Sequence, residues 1–406
     1  MAPQAILLHL QNRVRIAGEL LQGHVELNVP LALEDGIKAV RVKLRGSIYV
    51  EITESSSSTD SNGHRHRTSD TQRRLIEVLR ADATLWTDDG PLTGILNLPF
   101  QFFLPVDLPP SFHCSVLDRK GVISYAIEVV ADRPGIFKRN RRIASVFPVV
   151  PPAAPQDVAI QQFLHQGWSG EWKAVVHEDR IRRGIWGDYS VVKTKLVMPA
   201  LAAFPMSTPF TFRIHVTTET KPLKHTDGPE EKLFPAPPLN FSQIKFALIR
   251  NVYFRTASRR NHTTETVFVL GGTDDSPHSA TRLLEADPPE WIPSNKDKGK
   301  GIWRRTVHMQ STMSLSVPPG FNSECLSWDY ALRLGVPFPG IGNDIESTSA
   351  VTIVPGFACP QIQPFSRGPD SALTYADIPP PGPAPSLDLP PAYWAGEHHG
   401  WDDKKG

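Results

Sequence analysis

Apolar and polar residues alternate along much of this chain, and this period of two residues constrains the fold more than any other feature. In KAVRVKLRG, Val40, Val42 and Leu44 share one side, and Arg41 and Lys43 share the other. The same alternation recurs in GHVELNVPL from Gly23, VISYAIEVV from Val122, PFTFRIHVTT from Pro209 and LSWDYALRLGV from Leu326. Such segments predict half-buried antiparallel strands, and the breakers between them have the spacing of β-sandwiches. No long amphipathic helix with caps is evident, so the sequence predicts an all-β fold.

A Pro-rich segment divides the chain. FPVVPPAAPQDV runs from Phe147 to Val158, and its prolines lack the backbone N–H that a β-ladder requires. Strand patterns resume near Trp168 and continue to about Val354. For a chain of 406 residues, we therefore predict two antiparallel β-sandwich domains in tandem, at residues 1–152 and 157–360.

Several segments interrupt the strand patterns. The Ser-rich segment TESSSSTDSNGHRHRTSD, residues 53–70, is predicted to be a flexible loop at a sandwich edge. Residues 221–239 and 271–300 are predicted to be loop insertions of the second domain. Residues 361–406 contain PPPGPAPSLDLPPAYW, which offers little to bury, so we predict a disordered tail that favours polyproline II.

Composition excludes several classes of protein. The 43 basic and 42 acidic residues give a net charge of +1, whereas nucleic-acid binders usually have a marked basic excess, so no nucleic-acid partner is expected. Cys114, Cys325 and Cys359 are far apart and form no CxxC pair, which fits a reducing compartment. No apolar run reaches about 18 residues, so we expect no membrane-spanning helix. The first residues, MAPQAILLHLQNRVRI, lack a basic region before an apolar block, and we expect a cytoplasmic protein.

The common catalytic templates do not occur in the sequence. There is no GxxxxGK[ST] phosphate-binding loop, and the segment Gly167–Gly170 matches a GxSxG nucleophile elbow only superficially. His177 and Glu178 are not followed by the second histidine of a zinc-protease helix. His64 and His66 lie in the Ser-rich segment, where solvated side chains are the simpler interpretation. We predict no catalytic residue, no metal site and no cofactor.

The strongest short motif is Pro390-Pro391-Ala392-Tyr393, a PPxY sequence in the Pro-rich tail. Pro390 and Pro391 favour a polyproline II turn whose rings stack on an aromatic groove, and Tyr393 fills a neighbouring pocket. WW domains recognise Pro-rich ligands in this way. We therefore predict that Pro390, Pro391 and Tyr393 bind a WW domain.

Basic residues cluster in three places. The first cluster contains Lys138, Arg139, Arg141 and Arg142, and the others are Arg180–Arg183 and Arg259–Arg260. Each could hold phosphoryl groups or anionic lipid headgroups. The alternative is a solvated turn or strand edge, where charge discourages edge-to-edge pairing.

Four stretches of the first 150 or so residues resemble the α-arrestins, the arrestin-related trafficking adaptors. They are RIAGELLQGHVEL from Arg15, KAVRVKLRGSIYV from Lys38, LNLPFQFFLPVDLPPSF from Leu96 and GVISYAIEVVADRPG from Gly121. The last two resemble the family's Phe- and Pro-rich strand, its Leu-Pro-x-Ser-Phe turn and its Ile-x-Tyr strand. The PPxY tail is the other point of resemblance.

The resemblance implies an adaptor that is not an enzyme. In that family the sandwiches contact cytosolic parts of membrane transporters or receptors, and the PPxY tail recruits a HECT-type ubiquitin ligase through its WW domains. Ubiquitylation, endocytosis and sorting of the cargo follow. The implied location is the cytoplasm, with peripheral recruitment to the plasma membrane and endosomes. A retromer-type cargo-sorting subunit, which needs no PPxY motif, and a non-catalytic scaffold are the alternatives.

Overall fold

The computed structural model describes residues 4–59, 65–90, 93–135, 139–184, 187–226, 233–269, 283–295 and 299–359. Strands dominate these residues, and every ladder in the sandwich sheets is antiparallel. Within the described part of the chain, no helix has the length and apolar character needed to cross a membrane. The all-β prediction is confirmed.

The first sandwich precedes residue 151. Its strands are β1 (Ile6–Leu10), β2 (Arg15–Ile16), β3 (Leu20–Asn28), β4 (Ala39–Thr59), β5 (Arg65–Thr87), β6 (Ile95–Phe103), β7 (Phe112–Val116), β8 (Arg119–Asp132), β9 (Arg141–Phe147) and β10 (Val149–Val150). One sheet has the order β1-β3-β6, and the other has the order β5-β4-β8-β7 with β9 beside β8. A short parallel pair joins β2 to β10. Helix α1 (Val29–Glu34) follows β3, and the Asn28 side chain accepts a hydrogen bond from the Leu31 N–H at its start.

The second sandwich follows residue 171. Its strands are β11 (Trp172–Arg182), β12 (Tyr189–Pro199), β13 (Phe204–Pro205), β14 (Pro209–Glu219), β15 (Lys245–Arg255), β16 (Arg260–Val269), β17 (Leu283–Ala286), β18 (Glu290–Pro293), β19 (Gly301–Ser314), β20 (Phe321–Asn322), β21 (Leu326–Val336), β22 (Ile345–Val351) and β23 (Ile353–Val354). One sheet has the order β11-β12-β14-β19-β17 with β18 also on β19, and the other has the order β16-β15-β21-β20 with β22 also on β21. A single 3-10 turn, Phe241–Gln243, precedes β15 within the described residues.

The predicted strand faces agree with the burial of side chains. In β21, Trp328, Tyr330 and Leu332 are buried, as the alternation of that segment predicts. In β14, Phe212 and Ile214 are buried and lie on the same face. Each sandwich therefore closes around the apolar faces of its two sheets, because burying those faces is the main favourable term in folding.

The loop predicted over residues 53–70 is wrong for most of its length. Residues 53–59 continue β4, residues 65–70 begin β5, and the two strands pair from Thr53 and Thr71 up to Thr59 and Arg65. Cross-strand hydroxyl groups support the pairing, since Thr53 lies 2.9 Å from Thr71. Residues 60–64 lie outside the described residues. The segment is thus largely a long β-hairpin that extends two buried strands.

A helix occupies the region between the two sandwiches, where the sequence predicts only a Pro-rich boundary. Helix α2 (Pro155–His165) begins with Pro155, a position that tolerates proline because its missing N–H would have no helical partner. The Ala154 N–H donates to the Asp157 carboxylate, and Leu164 is buried. No described strand from one side of α2 shares a sheet with a strand from the other side.

The predicted insertion at 271–300 is also partly strand. β17 and β18 both pair with β19 and extend its sheet. The described residues of the other insertion, 221–226 and 233–239, contain no strand longer than an isolated bridge at Leu223. Residues 227–232, 270–282 and 296–298 lie outside the described residues, and so does the whole predicted tail, 361–406.

Both sandwiches use a buried tyrosine to hold a Pro-Pro segment. In the first, the Tyr125 hydroxyl donates to the Pro109 carbonyl at 2.7 Å, within the sequence LPPSF. In the second, the Tyr330 hydroxyl donates to the Pro318 carbonyl at 2.8 Å, within the sequence VPPGF. A proline carbonyl in a buried segment has no neighbouring strand to satisfy it, so a side-chain donor takes that role.

Candidate functional site

Aromatic rings from both sandwiches meet at the junction between them. Phe112 at the start of β7 stacks on Trp328 of β21 with ring centroids 4.0 Å apart. Gly121 of β8 lies against the same surface, because a Cβ atom there would be 2.8 Å from Leu326 and 2.9 Å from Phe254 side-chain atoms. The junction is therefore a close-packed apolar contact, and glycine at position 121 permits the approach.

A buried arginine adds a polar component to this contact. The Arg250 guanidinium lies 4.6 Å from the centroid of the Phe112 ring and pairs with Glu265 at 2.5 Å. Arg250 is 4% exposed, whereas the Glu265 side chain is 30% exposed, so the guanidinium is the shielded member of the pair. Cys114 is nearby, and burial, followed by the Glu265 charge, raises the pKa of its thiol to about 12. That thiol is therefore protonated at neutral pH and unsuited to nucleophilic chemistry.

A network of polar side chains joins the β4–β5 hairpin to the turn between β15 and β16. The Arg259 guanidinium donates to the Asp70 carbonyl at 2.8 Å and pairs with the carboxylates of Asp70 at 2.5 Å and Glu54 at 3.2 Å. Gln72 exchanges hydrogen bonds with Ser258, at 2.7 and 3.0 Å. We call this network the hairpin clasp, and it joins the first sandwich to the second at the edge of the apolar contact.

A second ionic cluster is buried near the N-terminus. Glu19 pairs with Arg13 at 2.9 Å and with Arg15 at 3.4 Å, and the Arg15 and Glu19 side chains are 2% and 3% exposed. Burial, together with the positive charge of Arg13, lowers the pKa of Arg15 to about 10. Arg15 is also held through its backbone, because β2 pairs with β10. This cluster is positively charged, since one carboxylate faces two guanidiniums.

The C-terminal segment leaves the described fold beside this cluster. A Cβ atom on Gly18 would lie 3.0 Å from the Cys359 sulfur, and the Ala153 N–H donates to the Phe357 carbonyl at 2.7 Å. Residues 357–359 therefore pack on the first sandwich although they follow the last strand of the second. Residues 360–406 follow this position in the sequence.

The structure describes only some of the residues that the sequence predicts to bind a WW domain or an anion. Pro390, Pro391 and Tyr393 lie outside the described residues, and so does Lys138. Arg139 is exposed.

Arg141 and Arg142 already have carboxylate partners. Arg141 pairs with Asp35 at 2.8 Å, and Arg142 pairs with Glu128 at 2.9 Å. An anion would have to displace these carboxylates or bind beside them.

Two histidines face each other on neighbouring strands of the second sandwich. The Nδ1 atoms of His215 and His308 are 2.5 Å apart, and His308 Nε2 lies 2.9 Å from an Asp287 oxygen. Burial, followed by the charges of His308, Lys195 and Arg213, lowers the pKa of His215. Within the described residues, no group of three or more His, Cys, Asp or Glu side chains is arranged to hold a metal ion.

Sequence reasoning found part of these sites. It named Arg259 and Arg260 as a basic cluster but missed the partners of Arg259, because Asp70 and Glu54 lie about two hundred residues away and carry no local signal. It missed the Arg15–Glu19 pair for a different reason. No local pattern marks Arg15 and Glu19 as buried, and their burial is evident only in the folded chain, where Arg15 also pairs with Val149 of β10.

Part of the chain matches a known protein family. Residues 5–154 match the family described as arrestin (or S-antigen), N-terminal domain. A search of curated proteins finds no significant match. The matched range covers the first sandwich from before β1 to the residue that precedes α2. Such a domain favours an adaptor or scaffold role. The match and the tandem β-sandwiches together support an arrestin-like protein.

Proposed function

We propose that this protein is an adaptor that brings a WW-domain HECT-type ubiquitin ligase to membrane-protein cargo, so that the cargo is ubiquitylated, internalised and sorted. One observation carries the proposal. The sequence Pro390-Pro391-Ala392-Tyr393 occurs in a chain whose residues 5–154 match an arrestin N-terminal domain. The PPxY sequence would bind the ligase, and the sandwiches would bind the cytosolic parts of transporters or receptors.

The position of Cys359, after which the proposed tail starts, supports these separate roles for the PPxY sequence and the sandwiches. Residues 360–389 separate Cys359 from Pro390, and Cys359 packs beside Gly18 on the first sandwich. A ligase bound at Pro390 is therefore tethered to cargo bound on the sandwiches. Tethering raises the effective concentration of each partner for the other, so two weak contacts can act together.

We place the domain boundaries at 1–152 and 157–360, followed by a disordered tail at 361–406. The separation of sheets on the two sides of α2 supports the first boundary. We further propose peripheral recruitment of this cytoplasmic protein to the plasma membrane and endosomes, where its cargo would lie.

The cluster of Lys138, Arg139, Arg141 and Arg142 is proposed as a contact for anionic lipid or phosphorylated cargo. Arg139 would make the first contact, because Arg141 and Arg142 have carboxylate partners in the described structure. The contact would then weaken as salt concentration rises, since exposed charges are screened within about a nanometre at physiological ionic strength.

The proposal is tested by measuring binding of the full chain to labelled WW domains of HECT-type ligases by fluorescence anisotropy. We expect micromolar binding that Tyr393→Ala weakens by at least about tenfold, a loss of about 1.4 kcal/mol of binding free energy. Tyr375→Ala changes another tyrosine of the tail outside the PPxY sequence and should leave binding unchanged.

Two outcomes contradict the ligase adaptor. One is no binding to any such WW domain, and the other is binding that Tyr393→Ala and Tyr375→Ala reduce equally. Either would favour a retromer-type cargo-sorting subunit or a non-catalytic scaffold, for which the PPxY sequence has no role.

A further inference from the structure

A cavity opens beside the hairpin clasp, between the two sandwiches. Its volume is about 410 Å³. Four arginines and one carboxylate line it together with Ser258; they are Arg74 of β5, Arg255, Arg259 and Arg260 at the β15–β16 turn, and Glu324 before β21. We call this cavity the arginine pocket. Its walls come from both sandwiches, since Arg74 belongs to the first and the other residues belong to the second.

The arginine pocket has more positive than negative charge. Arg259 is neutralised by Asp70 and Glu54, and Arg74 pairs with Glu324 at 2.7 Å. Arg255 and Arg260 are exposed, and neither has an ion-pair partner among the residues that the structure describes. Together the four guanidiniums face three carboxylates. An anion that enters the pocket could therefore bind the guanidiniums of Arg255 and Arg260 without displacing a carboxylate from them.

Ser258 lines the arginine pocket and lies in the turn that carries Arg255, Arg259 and Arg260. Arg255 and Arg260 form the last pair of the β15–β16 ladder, and the Thr256 N–H bonds to the Arg259 carbonyl at 2.9 Å. Ala257 and Ser258 are thus the two residues at the tip of a tight hairpin turn. Ser258 is exposed, and within the described residues its hydroxyl bonds only to the Gln72 side chain. An exposed hydroxyl on a tight turn is accessible to an enzyme.

We propose that Ser258 is a phosphorylation site and that the arginine pocket binds its phosphate. An ATP-dependent protein kinase would transfer the γ-phosphoryl group to the Ser258 Oγ. The Oγ–P bond forms, the bond from the γ-phosphorus to the bridging oxygen of ADP breaks, ADP leaves, and the hydroxyl proton passes to a base of the kinase. The phosphate gains charge-assisted hydrogen bonds from Arg255 and Arg260.

Phosphorylation would strengthen the contact between the sandwiches. The phosphate adds a charge of about −1.5 to −2 at neutral pH to a pocket with an excess of guanidiniums. Arg74 reaches the pocket from the first sandwich, so the bound phosphate links the β4–β5 hairpin to the β15–β16 turn. Gln72 can still donate its amide N–H to the phosphate in place of the serine hydroxyl. This inference stands on the pocket and does not depend on the proposed ligase partner.

The binding step is tested by installing phosphoserine at position 258 of the full chain and following the phosphate by ³¹P NMR as the pH is changed. The reference is a full chain with phosphoserine at Ser169, which is exposed in the turn before β11 and does not line the arginine pocket. Guanidiniums favour the dianion, so we expect the second pKa of the phosphate at 258 to be about one unit below the reference. The Arg255→Gln/Arg260→Gln double variant should return it to the reference value.

A pKa at position 258 equal to or above that of the Ser169 reference would overturn the proposal, because the carboxylates would then dominate the pocket. A lowered pKa that the double variant leaves unchanged would overturn the assignment of Arg255 and Arg260.

The modification step is tested by mass spectrometry of the protein isolated from cells. Trypsin cuts the arginine run into very short peptides, whereas chymotrypsin cleaves after Phe254 and Phe268 and keeps residues 255–268 together. We expect a phosphorylated form of this peptide with the phosphate on Ser258. Complete recovery of the peptide without phosphate, in growing and in nutrient-shifted cells, would overturn the site.

Discussion

At the scale of single residues, a buried tyrosine in each sandwich satisfies a proline carbonyl. Tyr125→Phe removes the hydroxyl that donates to Pro109 and leaves that carbonyl buried without a donor. We expect the free energy of unfolding to fall by about 1–3 kcal/mol. Chemical denaturation followed by tryptophan fluorescence measures the change.

The control for this substitution is Tyr189→Phe, because the Tyr189 side chain is 55% exposed. It should change the free energy of unfolding by no more than about 0.5 kcal/mol. Equal effects of Tyr125→Phe and Tyr189→Phe would contradict a structural role for the hydrogen bond to Pro109.

We expect the facing histidines of the second sandwich, His215 and His308, to make the stability of the protein depend on pH. The pKa of His215 is lowered in the folded protein from the ordinary histidine value of 6.5, so the unfolded chain binds more protons once the pH falls below 6.5. Stability therefore falls as the pH drops through the lowered pKa, and it is not reduced by this group above 6.5. We expect acidification from pH 7.5 to 5.5 to lower the free energy of unfolding less for His215→Gln than for the wild type, as measured by chemical denaturation at the two pH values.

The matched control is His165→Gln, which changes an exposed histidine at the end of α2. It should keep the pH dependence of the wild type. A His215→Gln protein that loses as much stability on acidification as the wild type would show that other groups produce the effect.

For single residues, the sequence predicts burial better than it predicts hydrogen-bond or ion-pair partners. The alternation around Tyr125 predicts that its side chain is buried, and the structure agrees. The alternation says nothing of the acceptor at Pro109, because that bond depends on where the Pro-Pro segment passes across the sheet. The same holds for Arg15, which lies in a parallel pairing with a strand more than a hundred residues away.

At the scale of elements, the β4–β5 hairpin is held to the second sandwich by the hairpin clasp. Arg259→Ala removes the bonds to the Asp70 carbonyl and to the carboxylates of Asp70 and Glu54. These carboxylates are more than half exposed, so we expect a loss of only about 1 kcal/mol in global stability. Local opening of the hairpin should nevertheless increase, and limited tryptic cleavage after Arg65, Arg67 and Arg73 should become faster.

Arg260→Ala is the control, because it removes the same charge from the neighbouring position of the same turn. Arg260 has no ion-pair partner among the described residues, so this variant should be cleaved at the wild-type rate. Equal cleavage of Arg259→Ala and wild type would contradict the clasp.

The elements show why some strands can be predicted and others cannot. β8, β14 and β21 have apolar side chains at every second position, so the sequence itself carries their pattern. The outer part of the β4–β5 hairpin has mainly Ser and Thr, and such residues also favour turns. Its strands form because β4 and β5 are already paired over their apolar parts, and hydroxyl bonds such as Ser56 to Thr68 at 2.7 Å then continue the ladder.

At the scale of the whole molecule, the sequence predicts two sandwiches in tandem but not how they meet. The Phe112–Trp328 stack joins residues more than two hundred positions apart, and Gly121 closely approaches Leu326 and Phe254 of the second sandwich. Alternation in β21 predicts that the Trp328 side chain is buried, but it does not identify the surface that covers this side chain. The helix between the sandwiches is short and weakly amphipathic, and prolines dominate the sequence before it. The sequence therefore predicts a boundary there and no helix.

The adaptor account is tested most directly by measuring ubiquitin attachment to membrane proteins in cells. Cells lacking this protein would be complemented with the wild type, Tyr393→Ala or Tyr375→Ala, and ubiquitin-remnant peptides from the plasma membrane would be quantified by mass spectrometry. The account predicts a set of transporters or receptors whose ubiquitylation falls, and whose surface abundance rises, with Tyr393→Ala but not with Tyr375→Ala. Identical ubiquitylation in all three lines would contradict it.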